Sequence, residues 1–243
     1  MLLEMVDSSE RIVALTGAGI STASGIPDFR SPGGVWETEN PMEVATLSVF
    51  NDDPERFWAF YRARLDVADS YEPNAGHFFL AHLSQAGKLR AVVTQNIDGL
   101  HQAAGVDDSL VHEVHGSVRE LACLECGRRY PRSSLDGMVI NGLPRCVCGA
   151  IVKPAVVLFE EMLPEVEVER SLAAIGDCDL LIVIGSSMVV YPVAGFPGER
   201  PEGSKMAIIN NEETSWAPEA DVWLGGDIAS QCAGLSRGLG FTA

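Results

Sequence analysis

The chain has 243 residues, of which 47% are hydrophobic, a size and composition that suit one folded α/β domain with or without a small satellite. Its formal net charge of −17 argues against general binding to nucleic acid or to anionic membranes, and suits basic protein partners better. It has no apolar run near the roughly 20 residues that cross a bilayer, and its acidic start lacks the features of a secretory signal. We therefore expect a soluble, cytoplasmic protein with no membrane partner.

Four apolar runs, each followed by small or polar residues, predict the strands of a parallel sheet. They lie in "RIVALTGAGIS" (11–21), "KLRAVVTQNIDGLH" (88–101), "DLLIVIGSS" (179–187) and "KMAIIN" (205–210). Such strands, separated by helical spans, are typical of a doubly wound α/β fold, which binds ligands at the carboxyl ends of its strands. The residues at those ends are Gly17–Ser21, Gln95–Asp98, Gly185–Ser187 and Asn210.

The segment 16–30, "TGAGISTASGIPDFR", predicts a glycine-rich turn at the end of the first strand. Gly17 and Gly19 would let the backbone approach a phosphate closely. The dinucleotide pattern G-x-G-x-x-G is incomplete, because position 22 is Thr22. On these residues alone, nucleotide binding and a plain tight turn both remain open.

The stretch 57–64, "FWAFYRAR", predicts a helix with a charge on its inward face. Asp53 can cap this helix, and Pro54 suits its first position. Two phenylalanines, Tyr61 and Arg64 then fall on one helical face. A charge there must meet an anion, which could be an internal carboxylate or part of a ligand.

Residues 123–150 contain two close cysteine pairs. Cys123 and Cys126 have C-x2-C spacing, and Cys146 and Cys148 have C-x-C spacing. Four thiolates satisfy tetrahedral zinc and leave no open position, so we predict one structural Zn²⁺. Two disulfides, which are uncommon in a reducing cytoplasm, and reactive redox thiols are the alternatives. The slight basic excess of this span is too small to predict nucleic-acid binding.

Two segments interrupt the predicted sheet and divide the chain. We predict a discontinuous Rossmann-like domain, a helical insertion and a zinc-binding insertion. Their ranges are 1–35, 88–119 and 154–243 for the Rossmann-like domain, 36–87 for the helical insertion and 120–153 for the zinc-binding insertion.

The glycine loop and the cysteine pairs occur together with "TQNIDGLH" (94–101), "HGS" (115–117) and "VVYPVAGFP" (189–197). This combination, in this order, closely resembles the sirtuin family of NAD-dependent protein lysine deacylases, and the resemblance covers nearly the whole chain. It implies that the protein acts on acylated-lysine proteins or peptides with NAD as cosubstrate, as a transferase. The acyl oxygen attacks the nicotinamide ribose carbon, nicotinamide leaves, and O-acyl-ADP-ribose is released.

The resemblance also implies roles for individual residues. His115 matches the general base that takes a proton from a ribose hydroxyl, which suits an imidazole of ordinary pKa. Asn96 matches a second catalytic residue, whereas His112 does not align with the motif and is interpreted as structural. The residues implied to bind NAD are Gly17, Ala18, Gly19, Ile20, Asp28, Phe29, Arg30, Gln95, Asn96, Ile97, Asp98, Gly185, Ser186, Ser187, Asn210, Asn211, Glu212 and Ala229.

Tyr61 and Arg64 match the Tyr-x-x-Arg pair of class III sirtuins, which prefer succinyl, malonyl or glutaryl lysine. A guanidinium can meet the distal carboxylate of such a group with two hydrogen bonds, and a phenol can add a third. Ala45 matches the small residue that makes room for the longer acyl chain. The resemblance thus implies desuccinylase or demalonylase activity beside deacetylation.

The stretch "PAVVLFEEMLP" (154–164) resembles the strand that pairs with the substrate backbone, and it includes the implied substrate-binding residues Val156 and Phe159. Relatives commonly read Phe-Gly-Glu where this chain has Phe159, Glu160 and Glu161. A charged side chain in place of a flexible glycine could alter peptide entry or the local backbone.

Three other functions are alternatives to deacylation. A mono-ADP-ribosyltransferase could use the same fold and cosubstrate. An NAD-dependent dehydrogenase is disfavoured by the incomplete glycine fingerprint and the lack of a clear hydride-transfer constellation. A non-enzymatic zinc-ribbon adaptor is disfavoured by the presence of both His115 and the QNID motif.

Overall fold

The computed structural model describes residues 1–29 and 34–241, and eleven strands occur in these two ranges. Six of them form a parallel sheet in the order β11-β10-β9-β1-β2-β3, which confirms the predicted α/β class. Smaller antiparallel sheets are β5-β4-β8 and β6-β7. The strands are β1 (Ile12–Thr16), β2 (Leu89–Thr94), β3 (Val111–Glu113), β4 (Gly116–Ala122), β5 (Arg129–Pro131), β6 (Val139–Ile140), β7 (Leu143–Pro144), β8 (Lys153–Val156), β9 (Leu180–Ile184), β10 (Lys205–Ile209) and β11 (Val222–Leu224).

The α-helices of the described residues precede, interrupt and follow the sheet strands. The predicted helical span contains a series of them, and the longest begins as predicted: Asp53 accepts a hydrogen bond from the backbone N–H of Arg56 at 3.1 Å, and Pro54 opens the helix. The helices are α1 (Leu2–Ser8), α2 (Val35–Thr38), α3 (Pro41–Val44), α4 (Leu47–Asp52), α5 (Pro54–Ala68), α6 (Ala75–Gln85), α7 (Leu100–Ala103), α8 (Glu165–Ile175) and α9 (Ile228–Gly238).

The main sheet is buried on both faces. Successive residues of β1 alternate between two hydrophobic clusters: Ile12 and Ala14 belong to one, Val13 and Leu15 to the other. The first cluster includes side chains of α1, α6 and α9, and the second includes side chains of α8. Helices thus cover both faces, as a parallel sheet of continuous apolar strands requires.

A third hydrophobic cluster forms a smaller lobe from the two segments that interrupt the sheet. Phe57 of α5 and Leu121 of β4 are fully buried members of this cluster. Trp58 Nε1 donates to the backbone oxygen of Val152 at 3.0 Å, and the Arg62 guanidinium lies 2.5 Å from Asp136. The helical and zinc-binding segments therefore share one core.

The helix α6 belongs to the main-sheet cluster, although it lies within the predicted helical insertion. Its apolar residues Phe79, Leu80 and Leu83 are buried in that cluster. The proposed domain boundaries remain a prediction. In the described part of the chain, no helix combines the length and the hydrophobicity that crossing a membrane demands.

Candidate active site

The glycine loop lies against the end of β9 at the carboxyl edge of the sheet. The N–H of Gly19 donates to the oxygen of Gly185 at 2.8 Å, and the N–H of Gly17 donates to the oxygen of Ile184 at 3.1 Å. A Cβ at Gly17 or at Gly19 would lie 2.8 Å from the Gly185 oxygen. The close approach of these two backbones therefore requires glycine, whatever ligand binds there. Ala18 and Ile20 follow in a 3-10 helix, Ala18–Ser24.

Asn96 and Asp98 lie beside this loop and are held by hydrogen bonds. The Asn96 amide donates to the Gly17 oxygen at 3.2 Å and lies 3.2 Å from the Ser21 hydroxyl. That hydroxyl donates to Asp98 at 2.7 Å, and the second Asp98 oxygen accepts from the Leu100 N–H at 2.9 Å. The QNID motif and the glycine loop thus form one network with fixed side-chain orientations.

His115 lies between the ends of β2 and β8. Its Nδ1 is 3.1 Å from the Gln95 backbone oxygen, and its own backbone oxygen accepts from the Val157 N–H at 2.8 Å. A carbonyl oxygen can only accept, so Nδ1 carries the proton and Nε2 carries the lone pair of the neutral ring. The Gln95 side chain donates to Ser186 at 2.9 Å. His115 is therefore linked to the end of β9 on one side and to the segment after β8 on the other.

Two buried histidines behind this site received no role from the sequence. His77 Nε2 lies 3.4 Å from the Ser21 hydroxyl, and His101 Nε2 lies 2.9 Å from the Thr16 hydroxyl. Their rings are 5.1 Å apart, and burial lowers the pKa of His77 to about 4 and that of His101 to about 3. Both rings are therefore neutral at pH 7. The position of His101 within the motif "TQNIDGLH" was the available signal, whereas His77 had none.

The predicted adenosine-binding residues lie farther along the same edge. Asn210 follows β10, and its amide donates to the Glu212 backbone oxygen at 2.7 Å. Asn211 and Glu212 are exposed, as is Ser187 after β9, and Ala229 lies in the first turn of α9. The order of the strands separates β10 from β1 by β9, so these residues lie two strands away from the glycine loop.

The predicted mobile loop is described only in part. Asp28 and Phe29 are half-buried, and the Asp28 backbone oxygen accepts from the Val35 N–H at 2.8 Å. Arg30 lies outside the described residues. Ile97 packs against the core of the smaller lobe, and its backbone oxygen accepts from the Val118 N–H at 3.0 Å. The candidate site therefore lies between the sheet and the smaller lobe.

Arg64 has no internal carboxylate partner within 4.0 Å among the described residues. Its guanidinium donates to the Phe60 backbone oxygen at 2.9 Å and stacks on the Phe60 ring, 3.5 Å from the centroid. Tyr61 is buried, with its ring 4.6 Å from that of Phe57. Burial lowers the pKa of Arg64 and raises that of Tyr61, and no described residue hydrogen-bonds to the Tyr61 hydroxyl. Both groups retain hydrogen-bonding capacity.

The predicted substrate-pairing segment joins His115 to the start of the smaller lobe. Val156, at the end of β8, pairs with Gly116. Three residues later, the Phe159 N–H donates to the Ala45 oxygen at 3.0 Å, and the Phe159 oxygen accepts from the Leu47 N–H at 3.1 Å. Ala45 is buried, whereas the Phe159 side chain is 41% exposed. The structure thus brings the two predicted substrate-binding positions Ala45 and Phe159 into direct backbone contact.

The four predicted metal ligands form one cluster. Their sulfur atoms all lie within 4.8 Å of one another, although no disulfide joins them. Gly127 and Gly149 follow the two cysteine pairs with φ values of 70° and 93°, which close tight turns around the sulfurs. Four convergent thiolates fit tetrahedral Zn²⁺ and leave it no open position. The residues are Cys123, Cys126, Cys146 and Cys148.

The Sir2 family profile matches residues 17–192. An NAD-dependent protein deacetylase of Sulfurisphaera tokodaii is 44% identical over 222 residues, which cover 90% of this chain and 87% of the relative. An NAD-dependent protein deacylase 2 of Pyrobaculum aerophilum is 41% identical over 225 residues, which cover 92% and 88%. A solved structure of Sir2 with a p53 peptide and NAD⁺ matches with a TM-score of 0.89 and 34% identity, covering 99% of this chain and 98% of that chain.

Proposed function

Because this chain belongs to the Sir2 family, we propose that it is an NAD-dependent protein lysine deacylase. It takes an acetylated lysine, NAD and water, and it releases free lysine, nicotinamide and O-acyl-ADP-ribose. The observation that carries this proposal is the position of His115. One nitrogen of its ring is fixed by the Gln95 carbonyl, and its backbone bonds to the segment that resembles the substrate-pairing strand.

Three residues at the edge of the sheet act directly in this reaction. In its neutral form His115 accepts a proton at Nε2 from a ribose hydroxyl, because the Nδ1 proton is donated to the Gln95 oxygen. Asn96 and Asp98, held by Ser21 and Gly17, orient the nicotinamide ribose and the amide of NAD. The zinc ion has no open position and serves the stability of the smaller lobe rather than the chemistry.

We further propose that the acyl pocket accepts acidic acyl groups such as succinyl and malonyl. Arg64 is half-buried, with Glu39 near enough to favour its charge but no described carboxylate within 4.0 Å, and the Tyr61 hydroxyl has no described partner. A distal carboxylate would give the guanidinium the anion it lacks, through two charge-assisted hydrogen bonds. With a net charge of −17, the protein as a whole would repel that carboxylate, so a local cation is needed to select it.

Turnover of matched acetyl-lysine and succinyl-lysine peptides, with and without NAD, tests both parts of the proposal. The wild type is expected to release nicotinamide from both peptides, and Arg64→Met is expected to lower kcat/KM for the succinyl peptide by at least tenfold while retaining acetyl turnover. Tyr61→Phe removes one neutral donor and should cost less, about threefold to tenfold. His115→Ala should abolish turnover of both peptides.

The outcomes separate the alternatives. If Arg64→Met lowers activity on both peptides equally, Arg64 is a structural charge, and only the preference for acidic acyl groups is rejected. Label transferred from NAD to protein without release of free lysine would instead identify a mono-ADP-ribosyltransferase. Nicotinamide release that does not depend on His115 would contradict the proposed role of that residue.

A further inference from the structure

Glu160 has a left-handed backbone conformation that glycine adopts more easily. Its φ is 75°. A non-glycine residue in this region is strained, and persists where surrounding interactions compensate. The compensation must therefore come from the Glu160 side chain or from its neighbours.

The Glu160 carboxylate supplies such an interaction. Its Oε2 accepts from the N–H of Ser48 at 2.9 Å and from the hydroxyl of Ser48 at 2.7 Å. These bonds to Ser48 lower the pKa of Glu160, which is therefore ionised at neutral pH. Because Ser48 belongs to the first turn of α4, a carboxylate there satisfies an N–H that the helix itself leaves unpaired.

The two hydrogen bonds to Ser48 add to backbone hydrogen bonds that join the same two segments. Glu160 and Ser48 are 112 residues apart in the chain. Phe159 exchanges two backbone hydrogen bonds with Ala45 and Leu47, and Glu160 adds two more to Ser48. Ala45 belongs to the proposed acyl pocket, and Phe159 belongs to the proposed peptide-binding segment. The Glu160 side chain therefore strengthens the connection between the two.

The neighbouring carboxylate, Glu161, holds the same segment through contacts within the smaller lobe. Glu161 accepts from the Leu158 N–H at 2.8 Å and lies 2.9 Å from the buried Lys153 ammonium. Glu161 therefore orders the interior of the segment, whereas the exposed Glu160 ties it to α4. Adjacent carboxylates thus make different contacts: Glu161 bonds within its own segment, and Glu160 bonds to Ser48.

We propose that Glu160 is a positioning residue that anchors the peptide-binding segment 157–161 to α4 and so preorganises the strand that receives the acyl-lysine peptide. This inference rests on the proposed deacylase function. An ordered edge strand binds a peptide more tightly, because less conformational entropy is lost on binding. The anchor should therefore lower KM for the peptide, while kcat and KM for NAD depend on other residues.

The test compares Glu160→Gly, Glu160→Gln and Ser48→Ala in the full chain with an acetyl-lysine peptide. Glycine tolerates the observed φ, so Glu160→Gly removes the anchor without adding backbone strain. We expect it to raise peptide KM about threefold to tenfold, with kcat and KM for NAD within twofold of the wild type. Gln retains an acceptor oxygen and should stay close to the wild type, and Ser48→Ala should have no further effect in the Glu160→Gly background.

A control variant and a second measurement distinguish loss of the Glu160 anchor from a general effect on the enzyme. Asn141→Gly relieves a positive φ of 52° in the β6–β7 turn, away from Ser48, and should leave all constants unchanged. Hydrogen exchange of the Ser48 amide reports the anchor directly and should accelerate in Glu160→Gly, whether or not the enzyme turns over.

Each unexpected result rejects a different part of the proposal. If the wild type does not deacylate, the proposed function is rejected, and Ser48 exchange alone then tests the contact. If the wild type is active and Glu160→Gly keeps the wild-type peptide KM, the anchor has no role in peptide binding and the inference is wrong. If only peptides with basic side chains lose affinity, Glu160 contacts the substrate directly, which also overturns the positioning role.

Discussion

Lys153 and Glu161 form a buried ion pair across the segment that follows β8. The ammonium and carboxylate are 2.9 Å apart, and their side chains are 4% and 16% exposed. Lys153 also donates to the Val156 oxygen at 2.5 Å, and Glu161 accepts from the Leu158 N–H. Burial lowers the pKa of Lys153, so the charged form depends on this carboxylate. Lys153 and Glu161 thus bond to the backbone of the segment that lies between them.

Removal of one partner should cost much more than removal of both charges. Lys153→Met leaves a buried carboxylate unpaired, and we expect a loss of about 3–5 kcal/mol in the free energy of unfolding. Glu161→Gln should also destabilise, whereas Lys153→Met combined with Glu161→Gln should cost less than the sum of the two. Urea unfolding of the three variants measures this coupling.

An exposed ion pair serves as the control for these substitutions of the buried pair. Lys205 lies 3.0 Å from Asp221, but its side chain is 57% exposed, so Lys205→Met should change stability by no more than about 1 kcal/mol. Strictly additive losses for Lys153 and Glu161 would show that the two charges do not stabilise each other.

Zinc removal should disorder the smaller lobe and leave the main sheet folded. Cys123 and Cys146 belong to the same hydrophobic cluster as Phe57 and Leu121, so loss of the metal opens that core. Cys126→Ser, or chelation of the wild type, should release one zinc per chain and accelerate amide exchange in α5, while β1 and β9 remain protected. Metal analysis with hydrogen-exchange mass spectrometry measures both effects.

A cysteine outside the cluster provides the control for metal content. Cys178 is buried near the sheet, and Cys178→Ala should retain one zinc per chain. Full retention of zinc by Cys126→Ser, or equal loss of protection in both lobes, would contradict the assignment of a structural metal to the smaller lobe.

The strands that could be predicted from the sequence are those that consist of a long run of buried, mostly apolar residues. β1 and β9 are five apolar or uncharged residues with every side chain buried, and β2 and β10 follow the same pattern with one exposed residue each. β3 and β11 were missed, because three-residue strands give no pattern that distinguishes them from loops.

The site was predictable where topology alone brings residues together. Parallel strands place Gly17, Asn96 and Ser186 at one edge, so their proximity follows from the order of the elements. Contacts between distant side chains could not be predicted. Arg62, on the solvent-facing side of α5, pairs with the exposed Asp136, 74 residues later, because two separate segments share one core.

The backbone conformation of Glu160 also could not be predicted from the sequence. Its sequence neighbours give no sign of a positive φ. The positive φ and the bonds to Ser48 depend on the position of α4 relative to β8, which local sequence does not encode.

Substitution of Gly19 should destabilise the fold and weaken NAD binding together. In Gly19→Ala the new Cβ would lie 2.8 Å from both the Cα and the oxygen of Gly185, and backbone atoms cannot move aside as a flexible side chain can. We expect a loss of about 1–3 kcal/mol in unfolding free energy and at least a tenfold weaker affinity for NAD. Thermal unfolding and calorimetric titration with NAD measure the two effects.

Gly234 in α9 is the matched control for this substitution. A Cβ there meets nothing within 4 Å, and alanine favours the helical conformation, so Gly234→Ala should stabilise the protein by about 0.5–1 kcal/mol. If Gly19→Ala retained wild-type stability and NAD affinity, the contact with the β9 end would not explain the glycine.

Acidification should destabilise the protein below about pH 6.5 through its buried histidines. Burial lowers the pKa of His77 and His112 to about 4 and that of His101 to about 3 in the folded state. The unfolded chain therefore binds more protons than the folded one between these values and about pH 6.5, so stability falls as the pH is lowered through that window. The pH dependence weakens again below the folded-state pKa values.

The innermost histidines, His77 and His101, should each contribute to this loss. Between pH 6.5 and pH 5, each contributes about 1.5 kcal/mol, because a pKa difference of one unit corresponds to about 1.4 kcal/mol and the unfolded imidazole is already half protonated at pH 6.5. His101→Phe preserves the aromatic contact with His77 but cannot bind a proton, so it should reduce the difference in stability between the two pH values even if it lowers stability at both. Urea unfolding at pH 7.5, 6.5 and 5 measures this difference. An identical pH dependence in the wild type and in His101→Phe would show that His101 is not the group that titrates on unfolding.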